Sequence, residues 1–296
     1  MIAFGASITS PEAYDLQAGP GLRRVAEPDS VIYPYQAGES VSRVYNLMLD
    51  HAGAHEDLEA LVLVHQDAEL VDPGICARVR AVLADPAVGM AGVVGSVGAT
   101  SIAWWDGDVR WSGCTYRYGD FGGGELGDYV PDVPARIADA PEGEVDTLYG
   151  VVLVLSPWAV RTLRFDESLG PMHGHDFDFG RQVRAAGRTL VTAPFGVVHH
   201  HPLHFVANPE AWAASHRRVA EKWDADGPED DSAWKPRARA AEADAGAGHL
   251  LVASRALQAD AGHWTEVAAH DRLAHTLSWR ATRPLRELRL RRSGGR

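Results

Sequence analysis

The sequence predicts an α/β protein with a mostly parallel central sheet and a helical C-terminal extension. Three observations carry this. Short β-branched runs alternate with amphipathic stretches: a strand over 2–8, a strand over 30–35, a helix over 39–52 and a strand over 61–64. That order is the order of a parallel α/β core. The run Leu61-Val62-Leu63-Val64 is too short for a helix and stops abruptly at His65-Gln66-Asp67-Ala68-Glu69. A polar cluster at a strand's carboxyl end is where open α/β sheets bind ligands. Beyond residue 209 the apolar spacing becomes helical. The division expected is a catalytic domain over 1–205 and a helical extension with a basic tail over 206–296.

The first strand, 2–8, ends at Thr9-Ser10-Pro11, and 12–24 reads as a loop with a short helix. In the 39–52 helix, Val41, Val44, Tyr45, Met48 and Leu49 share one face. A second helix over 72–83 has Asp72 as its cap and Pro73 in its first turn. A strand over 88–94 follows. Residues 99–144 are rich in tryptophan, tyrosine and glycine, with weak periodicity, as in short antiparallel strands plus a flexible loop. The 145–155 run is a strong strand signal. Gly150 inside it suits the close approach of a ligand or a neighbouring chain. Then come a short helix over 157–163, a helix over 177–186 stopped by Gly187, and a strand over 189–198 leading into His199-His200-His201. Past the helix over 209–223 lie an acidic linker, two further helical stretches and a tail, 280–296, with seven arginines against one glutamate.

A chain of 296 residues with 46% hydrophobic content has material for a large core, which excludes a mostly disordered protein. A net charge of -12 argues against a general nucleic-acid binder. Two cysteines, Cys76 and Cys114, imply no disulfide framework. The N-terminus reads as a strand and not a signal peptide, and no apolar run is long enough to span a membrane. A cytoplasmic location is therefore expected.

Two acidic stretches carry the chemistry. Asp67 and Glu69 are two apart, a spacing that turns both carboxylates to one side of an extended segment. Hard oxygen ligands there suit Mg²⁺ or Mn²⁺ bridging to a phosphate. The same pair also serves as an ordinary solvent-facing turn. Asp176 and Asp178, in HDFDFGR at 175–181, sit where a helix begins. They fit either helix-dipole partners or a general base. Arg181, one turn on, suits pairing with Asp178 or holding a phosphate. One of the three histidines at 199–201 suits a transition ion. Alternation points His199 and His201 one way and His200 the other, and the local sequence does not choose among them.

Together, HQDAEL at 65–70, WWDGDVRWSG at 104–113, VDTLYGVVLVLSPWAV at 145–160, FDESL at 165–169, HGHDFDFGRQVRAAGRTL at 173–190 and VVHHHPL at 197–203 resemble family 2-like glycosyltransferases of the GT-A fold. Within these the likeness is to the streptomycin-biosynthesis StrF-like group, and it covers residues 1–205. The resemblance implies a metal-dependent, inverting transfer of a sugar from a nucleoside-diphosphate donor to the hydroxyl of a small molecule or glycan. It places Mn²⁺ or Mg²⁺ on Asp67, Glu69 and His199, and makes Asp176 the base. Donor contacts fall on Thr9, Ser10, Glu12, Gln66, Asp67 and Arg181. Trp104, Trp105, Tyr149, His175 and Asp178 fall on the acceptor side. His175 stands where such enzymes carry a carboxylate. That departure keeps open a sugar-nucleotide-binding or scaffold protein without turnover. A metal-dependent nucleotidyltransferase is a further alternative, although no Gly-rich, Lys-containing triphosphate loop follows the first strand. The aromatic face around Trp212 and Trp223 suits a homodimer or an intramolecular groove.

Overall fold

The computed structural model describes residues 1–38, 40–99, 101–104, 107–118, 124–127, 143–200 and 209–224. Strand β1 (Ile2–Ile8) is buried almost throughout, as its unbroken small and apolar sequence requires of a strand covered on both faces. Ser10 caps the helical segment that follows, its Oγ accepting from Ala13 N at 3.3 Å. That segment is α1 (Pro11–Ala13), a π-helical turn over Tyr14–Ala18 and α2 (Gly19–Val25). It is longer than the short helix expected there. Strand β2 (Val31–Gln36) lies at the sheet edge, where Pro34 leaves no inner ladder bond unmade. Helix α3 (Val41–Gly53), capped by Ser40, returns the chain to β3 (Ala60–Val64), which pairs on the other side of β1.

Next come β4 (Ala68–Leu70), α4 (Ile75–Leu83), β5 (Val88–Gly92), β6 (Val94–Val97), β7 (Asp108–Trp111), β8 (Cys114–Tyr118) and β9 (Gly124–Gly127). They are followed by β10 (Gly143–Val145), β11 (Thr147–Leu148), β12 (Val152–Leu155), α5 (Pro157–Thr162), α6 (His175–Ala185), β13 (Thr189–Thr192), β14 (Val197–His199) and α7 (Pro209–Asp224). The seven-stranded sheet has the order β10-β13-β5-β12-β3-β1-β2.

This sheet is mixed, which corrects the mostly parallel arrangement expected. The pairs β1·β2, β1·β3 and β5·β13 are parallel, while β3·β12, β5·β12 and β10·β13 are antiparallel. An apolar run shows burial but not direction. The reversal of β12 brings its amino end to the carboxyl end of β3, where His65 N donates to Val151 O at 2.9 Å.

The apolar runs are also divided more finely than their hydropathy shows. The 88–94 run leaves the main sheet after Gly92 and continues as β6 in a second sheet, β11-β6-β7. The 145–155 run supplies three strands. The 189–198 run supplies β13 and then β14, which belongs to a third sheet, β4-β14-β8-β9. Glycines make these changes of sheet possible. A Cβ on Gly95 would lie 2.5 Å from Thr147 O, and Gly196, at φ +64°, lies against Asp72. Asp72 does not cap α4. Its Oδ1 accepts from Gly74 N at 2.8 Å in a turn ahead of the helix, and its Oδ2 pairs with Arg78.

Alternation along the central strands builds a core on each face. Phe4, Val62, Val64, Val152 and Val154 pack with Leu22 on one side. Leu61, Leu63, Leu153 and Leu155 pack with Tyr45, Met48, Phe165 and Phe179 on the other. A third cluster joins Leu169 and Phe177 to Trp212, Ala213 and Val219 of α7, with Trp223 against it. The aromatic face of α7 is thus covered within the chain, which removes the reason for a dimer there. Both cysteines are buried and neither is in a disulfide. Among the described residues no helix is long and apolar enough to cross a membrane. Residues 225–296, including the arginine-rich tail, lie outside the described part.

Candidate functional site

The carboxyl ends of β1 and β3 meet the amino end of β12 along one edge of the main sheet. Because β2 and β3 flank β1 on opposite sides, this is a topological switch point, where open α/β sheets form a ligand-binding crevice. Gln66 fastens its two lips together. Its Oε1 accepts from Thr9 N at 2.7 Å and Ser10 N at 2.8 Å, and its Nε2 donates to Thr9 Oγ1 at 2.8 Å. Thr9, Ser10 and Gln66, expected to touch a donor, are therefore one hydrogen-bonded unit. Glu12 stands exposed in the first turn of the helix beside them.

Asp67 occupies the turn between β3 and β4, where Ala68 N bonds to His65 O at 3.0 Å. β14 lies antiparallel to β4, with His199 opposite Ala68, and His200 N donates to Asp67 O at 2.8 Å. This register brings three donor groups together. Oδ1 of Asp67 is 2.5 Å from His65 Nδ1 and 3.1 Å from His199 Nε2. One ligand atom from each of His65, Asp67 and His199 lies within 4.8 Å of the others. His199 is fully buried, and Asp67 nearly so.

The electrostatics follow from that burial. Burial alone would raise the Asp67 pKa, but the two imidazoles outweigh it and hold the carboxyl far below its ordinary range. Burial also opposes protonation of His65, yet Asp67 overcomes it and raises the His65 pKa. For His199 burial prevails over Asp67 and its pKa is lowered. Two imidazoles and one carboxylate are a donor set that suits a divalent transition ion such as Mn²⁺, which accepts nitrogen ligands more readily than Mg²⁺ does.

Glu69 does not join this group. It is 2.8 Å from Arg24 Nη2 and 3.3 Å from His200 Nε2. The two-residue spacing holds both carboxylates on one side only in an extended segment, and here the chain turns at 65–67 before β4 begins. The expected alternation does appear at His199 and His200, whose partners are Asp67 and Glu69 respectively; His201 lies outside the described residues. His65 was the ligand that the sequence did not single out. The available signal was its position two residues before Asp67 at the strand's last polar step.

Across the crevice, Gly150 meets the start of α6. Gly150 N donates to Asp176 Oδ2 at 2.8 Å, and Phe177 N donates to Asp176 Oδ1 at 2.9 Å. His175 Nδ1 is 3.0 Å from Met172 O, and its ring meets those of Tyr45 and Phe165 at 5.6 and 6.2 Å. Burial is the main cause of its lowered pKa, with Asp176 opposing. The charge of Asp176 also contributes to raising His65, so the two sides act on one another. The rings of Trp104 and Tyr149 meet at 5.1 Å with their planes tilted by 30°, and Tyr149 lies 6.2 Å from His199, so an aromatic wall leads to the histidine–aspartate group. Trp105 lies outside the described residues.

Asp178 and Arg181 face elsewhere. Asp178 is fully buried and accepts from Gln182 Nε2, Trp223 Nε1 and Lys222 Nζ at 2.8, 2.9 and 2.8 Å. The guanidinium of Arg181 lies over the Trp223 ring at 5.4 Å. Both hold α7 onto α6 and neither lines the crevice. Positions 176 and 178 share a carboxylate but not a direction, since residues two apart on a helix diverge.

No protein-family model matches the sequence. Among curated proteins it is similar to the streptomycin biosynthesis protein StrF of Streptomyces griseus, with 30% identity over 207 residues, 68% of this chain and 66% of that protein. The chain thus spans just under two thirds of that relative's length. Among solved structures, similarity extends to GalNAc-T7 with UDP, GalNAc and Mn²⁺, at a TM-score of 0.47 and 10% identity over 75% of this chain and 47% of that one. It extends also to the mannosyltransferase PcManGT from Pyrobaculum calidifontis in complex with GDP-Man and Mn²⁺, at 0.45 and 14% identity over 95% and 81% of the two chains. The protein is an α/β chain with a mixed sheet, a potential metal-binding group at the strand ends, and a distant relationship to StrF.

Proposed function

We propose that this protein transfers a sugar from a nucleoside-diphosphate donor to an acceptor hydroxyl, in the manner of GT-A glycosyltransferases. The observation that carries this is the His65–Asp67–His199 group, set beside the Thr9–Ser10–Gln66 unit at the crevice of the main sheet. These three residues would hold a divalent ion, Mn²⁺ before Mg²⁺ given the two imidazoles. Bound there, the ion supplies charge neutralisation for a leaving diphosphate.

The chain's own residues do the rest. Gln66 keeps the lip of the crevice closed up, so that Thr9 and Ser10 present a fixed surface to the nucleotide. Trp104 and Tyr149, packed against each other, offer aromatic surface to a sugar ring. The His175–Asp176 pair, held against Gly150, faces the acceptor hydroxyl and supplies the base for its proton. Attack from the side of this pair, opposite the leaving group, inverts the anomeric carbon.

Calorimetric titration with UDP, GDP and dTDP, each with and without Mn²⁺, tests the proposal. One nucleotide should bind in the presence of metal, and Asp67→Asn should abolish that binding. Binding that is indifferent to both metal and Asp67 would refute the assignment. The anomeric configuration of the product, followed by NMR, tests inversion.

A further inference from the structure

Two side-chain atoms converge on Gly150 from the start of α6. A Cβ at Gly150 would lie 3.1 Å from Asp176 Oδ2 and 3.4 Å from His175 Nε2, so glycine keeps that point open. The two atoms are not equally available. Each oxygen of Asp176 already accepts a backbone N–H, one from Gly150 and one from Phe177. His175 is different. A carbonyl oxygen only accepts, so the 3.0 Å contact to Met172 O requires the proton to be on Nδ1. In the neutral ring this leaves the lone pair on Nε2, which makes no hydrogen bond among the described residues. The edge contact with Tyr45 and the tilted contact with Phe165 hold the ring plane.

Resting on the sugar-transfer reading above, we propose that Nε2 of His175 is the general base for the acceptor hydroxyl. Asp176 then serves as its fixed neighbour. The acceptor O–H bond breaks and its proton passes to Nε2. The freed oxygen pair forms the new bond to the anomeric carbon, and the bond from that carbon to the diphosphate oxygen breaks, its electron pair leaving with the nucleoside diphosphate. The imidazolium so formed keeps its Nδ1–H on Met172 O and gains the negative charge of Asp176. Burial supports this use of the ring by keeping it neutral and ready to accept. The base is then His175 and not the Asp176 that the resemblance implies, and the departure at 175 is not the mark of lost turnover.

The test uses the full chain with Mn²⁺, UDP-, GDP- and dTDP-hexoses as donors and methyl glycosides as acceptors, following release of nucleoside diphosphate. His175→Asn keeps a donor for Met172 O and removes the base, while His175→Gln keeps the reach of Nε2 without its basicity. Both should lower kcat at least about 100-fold, within the usual range for a general base. The dissociation constant for the nucleotide with Mn²⁺ should be unchanged. A kcat within about threefold of the unaltered protein in either variant would overturn the proposal and leave sugar transfer standing. No release by the unaltered protein from any of these donors would overturn both together. Nitrogen NMR of the unaltered protein adds a measurement free of folding effects: Nδ1–H is expected at His175, and Nε2–H would overturn the assignment.

Discussion

Asp178→Asn is expected to loosen α7 from the body of the protein. The carboxylate is fully buried and receives three donors from two helices. Removing one partner of a fully buried ion pair costs about 3–5 kcal/mol. Here the loss is smaller, because the Lys222 side chain is 32% exposed and also pairs with Asp166 at 2.7 Å. The hydrogen bond from Trp223 Nε1 to a charged acceptor is worth about 1.5–3 kcal/mol, and an amide recovers part of it. The net expectation is a loss of about 2 kcal/mol, a fall in the unfolding midpoint of roughly 4–8 °C for a chain of this size. Urea and thermal unfolding of Asp178→Asn, Trp223→Phe and the double variant measure it. The two changes share one hydrogen bond, so the double variant should lose about 1 kcal/mol less than the sum of the singles. A loss under about 0.5 kcal/mol for Asp178→Asn would sink the assignment of Asp178 to the α6–α7 junction, as would strict additivity.

Gly5→Ala should destabilise by about 1–3 kcal/mol, because its Cβ would lie 2.6 Å from Met48 Sδ where α3 crosses β1; urea denaturation should detect this. Gly196→Ala and Gly187→Ala form a pair with one backbone demand but unequal space. Both glycines have positive φ, at +64° and +78°, but a Cβ at 196 would meet Asp72 at 2.5 Å while none stands within 4 Å of 187. The alanine at 187 should cost about 1–2 kcal/mol and that at 196 clearly more, and equal losses would refute the tight contact. Asp166 is partly buried, which raises its pKa, but Lys222 and Ser168 prevail and hold it at about 2. Its contribution to stability is present in full above the ordinary carboxylate range and is lost as pH falls through about 2. The gap in unfolding midpoint between the unaltered protein and Asp166→Asn should therefore narrow over that window. Glu69→Gln should leave Mn²⁺-dependent nucleotide binding in place, since Glu69 pairs with Arg24 and His200 outside the ligand group; a loss matching that of Asp67→Asn would return Glu69 to the site.

Local pattern alone locates the buried segments and the places where chemistry gathers. The apolar runs at 2–8 and 61–64, the helical spacing over 39–52 and the polar break at His65 each depend on local patterning, and each reappears within a residue or two of its expected place. The acidic step at Asp67 is visible for the same reason, since it ends an apolar strand, whereas local pattern marks the histidines at 199–201 only as a group and the family resemblance, not the pattern, picks out His199. Strand direction and division were not visible. A run such as 145–155 is equally apolar in either direction, and only the pairing of β12 with both β3 and β5 decided that it runs antiparallel. That decision brought Gly150 to the crevice and gave Asp176 its backbone partner. Tertiary structure also separated residues that the sequence placed together. Glu69 parted from Asp67 because the chain turns before β4, and Asp178 parted from Asp176 because a helix sends residues two apart in different directions. It brought together residues distant in sequence as well: His65 joins His199 only through the pairing of β4 with β14, a contact across 134 positions that no local pattern encodes.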